Sequence, residues 1–236
     1  MKTIVYPAKE RGHVNLGWLD SFHSFSFGQY YDARKVHFGA LRVLNDDSVA
    51  GGGGFGTHPH DNMEIVTIPL EGNLAHKDST GNEGIIRKGD IQIMSAGTGI
   101  RHSEYNASSS EPAKFLQIWV IPKRKDIQPV YGQKSYDLTD RKNKWQVVVS
   151  PDSADLGLNI NQDARFSLSD LEEGRSIPYQ MKWKNAGLYL FVIEGEIKIG
   201  GQSLNKRDAL GISETENVVI ETGKNSQVLA IEIPML

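Results

Sequence analysis

The chain has 236 residues, with 26 Lys or Arg against 29 Asp or Glu and a formal net charge of -3. This balance argues against a nucleic-acid-binding or membrane-surface protein that works through bulk charge. The sequence has no cysteine, which excludes disulfides, iron–sulfur clusters, thiolate zinc sites and cysteine nucleophiles, and is typical of a protein in a reducing compartment.

At the N-terminus, Met1–Arg11 lacks the apolar stretch that a secretory signal needs. Apolar runs elsewhere, such as Leu188–Ile193, are far shorter than the roughly 18 residues of a membrane-spanning helix. We therefore expect a soluble cytoplasmic protein that binds neither membrane nor nucleic acid directly.

Short β-rich runs, bounded by Gly, Asn or Asp, predict an all-β protein, and long helical periodicity is absent. Turn clusters separate many of these runs at fairly regular intervals, which is typical of a sandwich or barrel. We expect one short turn of helix, over Ser167–Gly174. The predicted strands are Ala40–Leu44, Glu64–Ile68, Ile91–Met94, Phe115–Ile121, Trp145–Val149, Leu188–Ile193 and Val228–Ile233.

The two halves of the chain resemble each other. The stretch Pro122–Arg141 is polar and Pro-containing, and we interpret it as a bridge between them. Each half has a Glu-Gly pair, then an Asp, then a Ser five residues after that Asp. These anchors are Glu71-Gly72, Asp90 and Ser95 in the first half, and Glu194-Gly195, Asp208 and Ser213 in the second. The pattern indicates two copies of one β unit, with a chance match of short words as the alternative.

All seven histidines lie in the first half, and two motifs stand out among them. In a strand, residues i and i+2 point the same way, so His58 and His60 project together, as do His102 and Glu104. If the two strands are neighbours, three imidazoles and one carboxylate converge. Such a donor set suits a divalent first-row metal with open positions for water or substrate. Spacing alone leaves the alternative that these histidines are structural.

The other histidines are predicted to be structural. His13, His23 and His37 belong to an aromatic N-terminal region, in which we expect packing against the barrel. His76 follows the first Glu-Gly turn, and we expect it to be exposed.

Two stretches are similar to the motifs of the cupin superfamily. The first is Gly52-x5-His58-x-His60, followed by Gly72, and the second is Gly89-x5-Ser95-x-Gly97, followed by His102-x3-Asn106. More narrowly, the chain resembles the pirin family, nearly unbroken through the first half and more weakly in the second. The segments that carry this resemblance are Glu10–His13, Gly17–Phe27, Gly54–His60, Leu70–Gly72 and Met94–Asn106.

The resemblance implies a bicupin of two jelly-roll β-barrels with few short helices. The predicted domains are residues 1–130, which bind metal, and residues 131–236, which are metal-free. Pirin-family ligands map onto His58, His60, His102 and Glu104. The general cupin pattern takes its carboxylate from just after His-x-His, but Glu64 falls one residue early for it, so we interpret Glu64 as a structural acid.

The resemblance to bacterial pirins also implies quercetin 2,3-dioxygenase activity. One divalent ion per monomeric chain, Fe(II) by family analogy but also Ni, Co, Mn, Cu or Zn by its ligands, would bind a flavonol, which O2 then opens with release of CO. Glu104 would accept the hydroxyl proton, and aromatic side chains of Phe22–Tyr31 would line the mouth or pack as core. The alternatives are a regulatory, partner-binding pirin with redox-sensitive iron and a metal-free cupin that binds a small ligand.

Counting from the repeat anchors predicts which residues replace the ligands in the second half. The counterparts of His58, His60, His102 and Glu104 are Met181, Trp183, Ile220 and Thr222. No histidine or cysteine follows His102, so we expect the second barrel to be metal-free and packed with apolar residues.

Overall fold

The computed structural model describes all residues, Met1–Leu236, as 21 β-strands and three short 3₁₀ turns at Ala8–Glu10, Leu138–Arg141 and Ser153–Asp155. The strands are β1 (Lys2–Tyr6), β2 (Gly12–Asn15), β3 (Leu19–His23), β4 (Leu41–Val49), β5 (Gly54–His60), β6 (Glu64–Glu71), β7 (Asn73–Asp78), β8 (Glu83–Arg87), β9 (Asp90–Ser95), β10 (Ile100–Asn106), β11 (Ala113–Val120), β12 (Val130–Ser135), β13 (Gln146–Val149), β14 (Arg165–Leu171), β15 (Ser176–Gln180), β16 (Ala186–Glu194), β17 (Glu196–Ile199), β18 (Gln202–Asn205), β19 (Ala209–Ser213), β20 (Asn217–Thr222) and β21 (Ser226–Pro234). None of the helical segments has the length and apolar character needed to cross a membrane.

The all-β prediction is confirmed, and each of the seven predicted strands forms within a few residues of its expected bounds. The helical turn predicted over Ser167–Gly174 is wrong, because strand β14 occupies most of that segment. Its side chains alternate with period two: Phe166 and Leu168 enter the largest apolar cluster, which Ser167 does not join. Pairing of β14 with β21 satisfies the backbone groups that a helix would have satisfied internally.

Two large and two small antiparallel sheets form the two barrels. The first barrel has the large sheet β12-β9-β6-β11-β4-β3-β2 and the small sheet β5-β10-β7-β8. The second has the large sheet β1-β19-β16-β21-β14-β13 and the small sheet β15-β20-β17-β18. Strands β4 to β11 therefore recur in the same spatial order as β14 to β21, which is the arrangement that two copies of one β unit require.

The first and last strands of the N-terminal half are placed at equivalent edges. Strand β12, from the segment predicted as a bridge, pairs with β9 of the first barrel. Strand β1 crosses to the other barrel and pairs with β19, with Lys2 opposite Ser213. The division at residues 130 and 131 stays a proposal, and it runs through the first residues of β12.

The apolar core has three parts. A cluster of 26 buried residues, including Leu44, Val66 and Phe166, joins the two large sheets back to back. A cluster of 16 residues fills the second barrel. The interior of the first barrel is divided between a cluster of six residues around Phe115 and a cluster of four around Ile65, and the polar side chains between them form the site.

Candidate metal centre

Strands β5 and β10 bring three imidazoles together. They pair antiparallel with His58 opposite His102, and His60 lies opposite Ile100. One ring nitrogen from each of His58, His60 and His102 lies within 4.8 Å of the others. The Nε2 atoms of His60 and His102 are 3.0 Å apart. The two strands are therefore neighbours, which was the condition set by the sequence pattern.

The hydrogen bonds and charge states of these histidines fit a metal ion. The Nδ1 atom of His58 lies 2.8 Å from the carbonyl oxygen of Gly56. A carbonyl only accepts, so Nδ1–H donates and the Nε2 lone pair of His58 stays free. Burial, reinforced by the neighbouring imidazoles, lowers the pKa of His60 to about 4 and that of His102 to about 2. His60 and His102 are therefore held in the neutral form, which is the form in which imidazole binds a divalent transition metal.

Glu104 lies beside this group without joining it. A bulge follows His102 in the pairing of β10 with β5, and Glu104 is buried and lines the same cavity as His58 and His60. Its carboxyl accepts a hydrogen bond from Gln117 Nε2 at 3.0 Å. The structure thus clusters three of the four predicted ligands, and Glu104 as the fourth stays a proposal.

A short hydrogen-bond chain orients Glu104. The Thr67 hydroxyl donates to Gln117 Oε1 at 2.7 Å, which turns the amide so that its Nε2 faces Glu104. The Thr67 hydroxyl is also 3.5 Å from Glu104 Oε1. Burial, together with the nearby carboxyl of Asp47, raises the pKa of Glu104 to about 7. Burial therefore favours the uncharged, protonated form of Glu104 unless a cation lies beside it.

A cavity of about 410 Å³ opens onto this centre, within the usual range for small-molecule sites. Phe27, from the predicted aromatic mouth, lines it, whereas Phe25 packs between the barrels. The rings of Phe27 and His60 both meet Trp119 edge to face, at 5.3 and 4.9 Å. The wall of the cavity is therefore largely aromatic beside the imidazoles.

The prediction that His76 is exposed is wrong. His76 is 1% exposed, its ring stacks on Tyr131 at 4.9 Å and lies 5.4 Å from the ring of His102. Its Nε2 is 3.3 Å from Met94 Sδ. The sequence contained the information needed to place it. His76 is two residues after Leu74 in the same strand, so the two side chains point to the same side, which is the barrel interior.

The other histidines lie outside the group of three. His13 contacts Asp20 at 2.6 Å near the surface, and the ring of His37 bonds the carbonyl of Gly39. His23 lines the cavity, a position that the expectation of simple packing did not anticipate.

Glu64 is held away from the imidazoles. It accepts hydrogen bonds from the Ser95 hydroxyl at 2.6 Å and from the backbone N–H of Asn161 at 3.0 Å. It thereby joins the end of β9 to a loop of the C-terminal half, as a structural acid would.

From the sequence we did not identify four buried polar side chains of the large sheet, which line the cavity or form hydrogen bonds beside Glu104. Asn45 and Asp47 on β4, Gln117 on β11 and Thr67 on β6 are all buried. The available signal was a polar residue in the middle of an otherwise apolar strand, as at Gln117 within Phe115–Ile121. Such residues are rarely buried without a partner or a function.

Comparison with known proteins gives two family matches. Residues 5–120 match the model of the Pirin family, and residues 147–233 match that of the quercetinase C-terminal cupin domain.

Similar proteins span almost the whole chain. The chain is 43% identical over 227 residues to a quercetin 2,3-dioxygenase of Escherichia coli (strain K12), covering 96% of each protein. It is 38% identical over 227 residues to a pirin-like protein of Caulobacter vibrioides, covering 96% of this chain and 97% of that protein. Among solved structures, the bacterial pirin YhhW of Escherichia coli in complex with nickel(II) superposes with a TM-score of 0.94, at 40% identity and full coverage of both chains.

Proposed function

Because this chain belongs to the pirin family, we propose that it is a metal-dependent dioxygenase that opens flavonols such as quercetin and releases CO. The observation that carries the proposal is the group of three imidazoles at the wall of an aromatic-lined cavity, with the buried carboxyl of Glu104 beside it. The activity named for the similar Escherichia coli protein supports it.

We propose that His58, His60, His102 and Glu104 hold one divalent metal ion per chain. Nitrogen and oxygen donors without thiolate admit iron, nickel, cobalt, manganese, copper or zinc. The family resemblance favours Fe(II), whereas the nickel complex of the similar pirin favours Ni(II). When bound, the ion supplies Lewis acidity toward the adjacent hydroxyl and carbonyl oxygens of a flavonol.

Within this proposal, Glu104 accepts the proton of the flavonol hydroxyl. Its carboxyl lines the cavity beside the imidazole group, so in ionised form it would be within reach of a hydroxyl bound there and could take its proton. Gln117 donates its N–H to Glu104 Oε2 and so fixes the orientation of the carboxyl that would face both the metal ion and the substrate hydroxyl. Phe27 and Trp119 provide flat apolar surfaces for the aromatic rings and exclude water from the reacting oxygens.

The test combines elemental analysis with oxygen uptake on a panel of flavonols. We expect about one transition-metal ion per chain, consumption of O2 on addition of quercetin, and release of CO in the same amount. Protein stripped of metal by a chelator should lose the activity and regain it when one metal is restored. A fully loaded protein that consumes no O2 with any flavonol would exclude the dioxygenase and leave a regulatory metal site.

A further inference from the structure

We propose that His23 and Asn45 form a hydroxyl-recognition subsite, which binds the phenolic hydroxyls of a flavonol that the metal does not hold. The inference rests on the proposed function and deepens it, because it names the residues that select among flavonols. Nothing in the metal centre itself requires either side chain.

The two residues lie side by side on the wall of the cavity. Strands β3 and β4 pair in register with His23 opposite Asn45, and both side chains line the cavity that also holds His58 and Glu104. Asn45 is in turn opposite Gln117 on β11, the residue that donates to Glu104. Since paired strands are about 4.8 Å apart, the subsite extends from about 5 to 10 Å beyond Gln117 across the sheet, on the scale of one to two aromatic rings.

Both side chains are buried, yet neither makes a hydrogen bond within the chain. His23 and Asn45 are 4% and 3% exposed, and the buried atoms His23 Nδ1 and Asn45 Oδ1 have no partner. A buried polar group without a partner costs about 1–3 kcal/mol. The neighbouring polar groups on the same wall are paired, Ser21 with Asp47 and Thr67 with Gln117. Among the residues that line the cavity, an unpaired buried polar atom is found on His23, Asn45 and Trp119. The first two are neighbours, and they leave hydrogen-bonding capacity for a ligand in the cavity.

The chemistry of the pair selects phenolic hydroxyls. An amide offers one acceptor and one donor group, and a neutral imidazole offers one of each. Burial lowers the pKa of His23 and so favours its neutral form. Two adjacent hydroxyls on one aromatic ring, each both donor and acceptor, match this set. The rings of Phe27 and Trp119 supply the apolar surface beside it.

The experiment measures binding and turnover of two flavonols on metal-loaded protein. Quercetin carries two adjacent hydroxyls on its phenyl ring, and galangin has the same core without them. We expect the wild type to prefer quercetin by about 5- to 150-fold in Kd and in kcat/KM, the equivalent of one unpaired buried group. Asn45→Leu should bring the two flavonols to within a few-fold of each other by weakening quercetin alone, with the change in KM rather than in kcat.

Two control variants separate recognition from structure. Asn45→Asp keeps an acceptor of the same shape and should retain the preference for quercetin. Asn217→Leu makes the matched substitution at an exposed position of the second barrel and should change neither constant. If Asn45→Leu fails to fold, as judged by metal content and melting temperature, His23→Leu provides the same comparison.

The outcomes distinguish this inference from the proposed function, because binding is followed by tryptophan fluorescence without turnover. Selective binding that Asn45→Leu abolishes, in a protein that consumes no O2, would support the subsite and reject the dioxygenase. Oxygen uptake with an unchanged preference in Asn45→Leu, or with equal weakening of both flavonols, would reject the subsite and leave the dioxygenase. If neither quercetin nor galangin binds, both proposals are overturned.

Discussion

One register row crosses the large sheet of each barrel at equivalent positions, and the two rows differ in character. In the first barrel the row is polar and reads Gln92, Thr67, Gln117, Asn45 and His23. In the second barrel it reads Leu210, Leu190, Ala230, Ser167 and Val147. The same strand order therefore carries a polar layer in one copy and a mostly apolar layer in the other.

The small sheets show the same contrast. The pairing of β17 with β20 places Ile197 opposite Thr222, as Leu74 lies opposite Asn106 in the first barrel. Ile220 and Val218 therefore stand at the positions of Glu104 and His102. Tyr179, which lies opposite Val218, stands at the position of His58. These replacements all belong to the continuous apolar cluster that fills the second barrel. The fold therefore forms without the histidines. In the first barrel, polar side chains of the site occupy positions that apolar core residues occupy in the second.

The largest effect on metal binding should follow when a histidine of the first barrel is replaced by an aliphatic residue, as found at the equivalent position of the second barrel. His102→Ile places a β-branched aliphatic side chain, like that of Val218 at the equivalent position of the second barrel, into the imidazole group. Bound metal should fall from about one ion per chain to background, and flavonol turnover should fall with it, because two half-buried imidazoles and a carboxyl hold a transition metal weakly. Elemental analysis measures this directly. Ile220→Val is the matched control in the other barrel and should leave one ion per chain. Full metal content in His102→Ile, or a second tight ion in the C-terminal half, would contradict the comparison.

The next effect concerns the position where the second barrel has Ile220 and the first has Glu104. Glu104→Gln keeps the shape and one oxygen but removes the basicity, so turnover should fall by roughly 10²–10⁴-fold while flavonol binding falls much less. Steady-state kinetics and direct binding separate the two effects. Glu64→Gln is the control, since Glu64 is occupied by Ser95 and Asn161. Normal turnover in metal-loaded Glu104→Gln would move the base elsewhere.

Sequence reasoning reached the strands, the duplication and the His-x-His motifs because each depends on local alternation and short spacing. It placed the counterparts of His58 and His60 at Met181 and Trp183, and those of His102 and Glu104 at Ile220 and Thr222. Each is two residues beyond the position that strand pairing gives. A gap-free count fails for the first pair because five residues separate β15 from β16 and only three separate β5 from β6. Cross-strand neighbours such as Gln117 and Glu104 were out of reach, since register between distant strands is set by packing and not by local pattern.

A loss of stability should follow when a polar residue of the first barrel's large sheet is introduced at the equivalent position of the second barrel. Leu190 is fully buried in the second barrel and stands where the first has Thr67. Leu190→Thr removes packed methyl groups and buries an unpaired hydroxyl, so we expect a loss of about 2–5 kcal/mol in the free energy of unfolding. Thermal unfolding should show a melting temperature lower by about 4–20 °C. Metal content of the folded fraction should not change. An unchanged melting temperature would mean that the second barrel tolerates the polar row as well as the first.

The smallest effect is a pH dependence that arises in the first barrel alone. Asp47 is buried where the second barrel has Ser169, and burial raises the pKa of Asp47 to about 7 despite the hydrogen bond from Ser21. The unfolded chain releases this proton near pH 4, whereas the folded chain keeps it until about pH 7. The folded state therefore binds more protons between these values, and stability falls as pH rises through that range.

Asp47→Asn isolates this contribution, because the amide has the same shape and still accepts from Ser21 but does not titrate. Between pH 6 and pH 8 the metal-free wild type should lose about 1.4 kcal/mol relative to the variant, the equivalent of one pKa unit. This corresponds to a relative fall of about 3–6 °C in melting temperature. Ser169→Ala, the equivalent position in the second barrel, removes a hydroxyl that does not titrate and should shift the curve by the same amount at both pH values. If the melting temperatures of the wild type and Asp47→Asn change in parallel with pH, burial of an ionised Asp47 carries no cost in stability. The two barrels would then differ in the shape of their interior side chains and not in the cost of burying a charge.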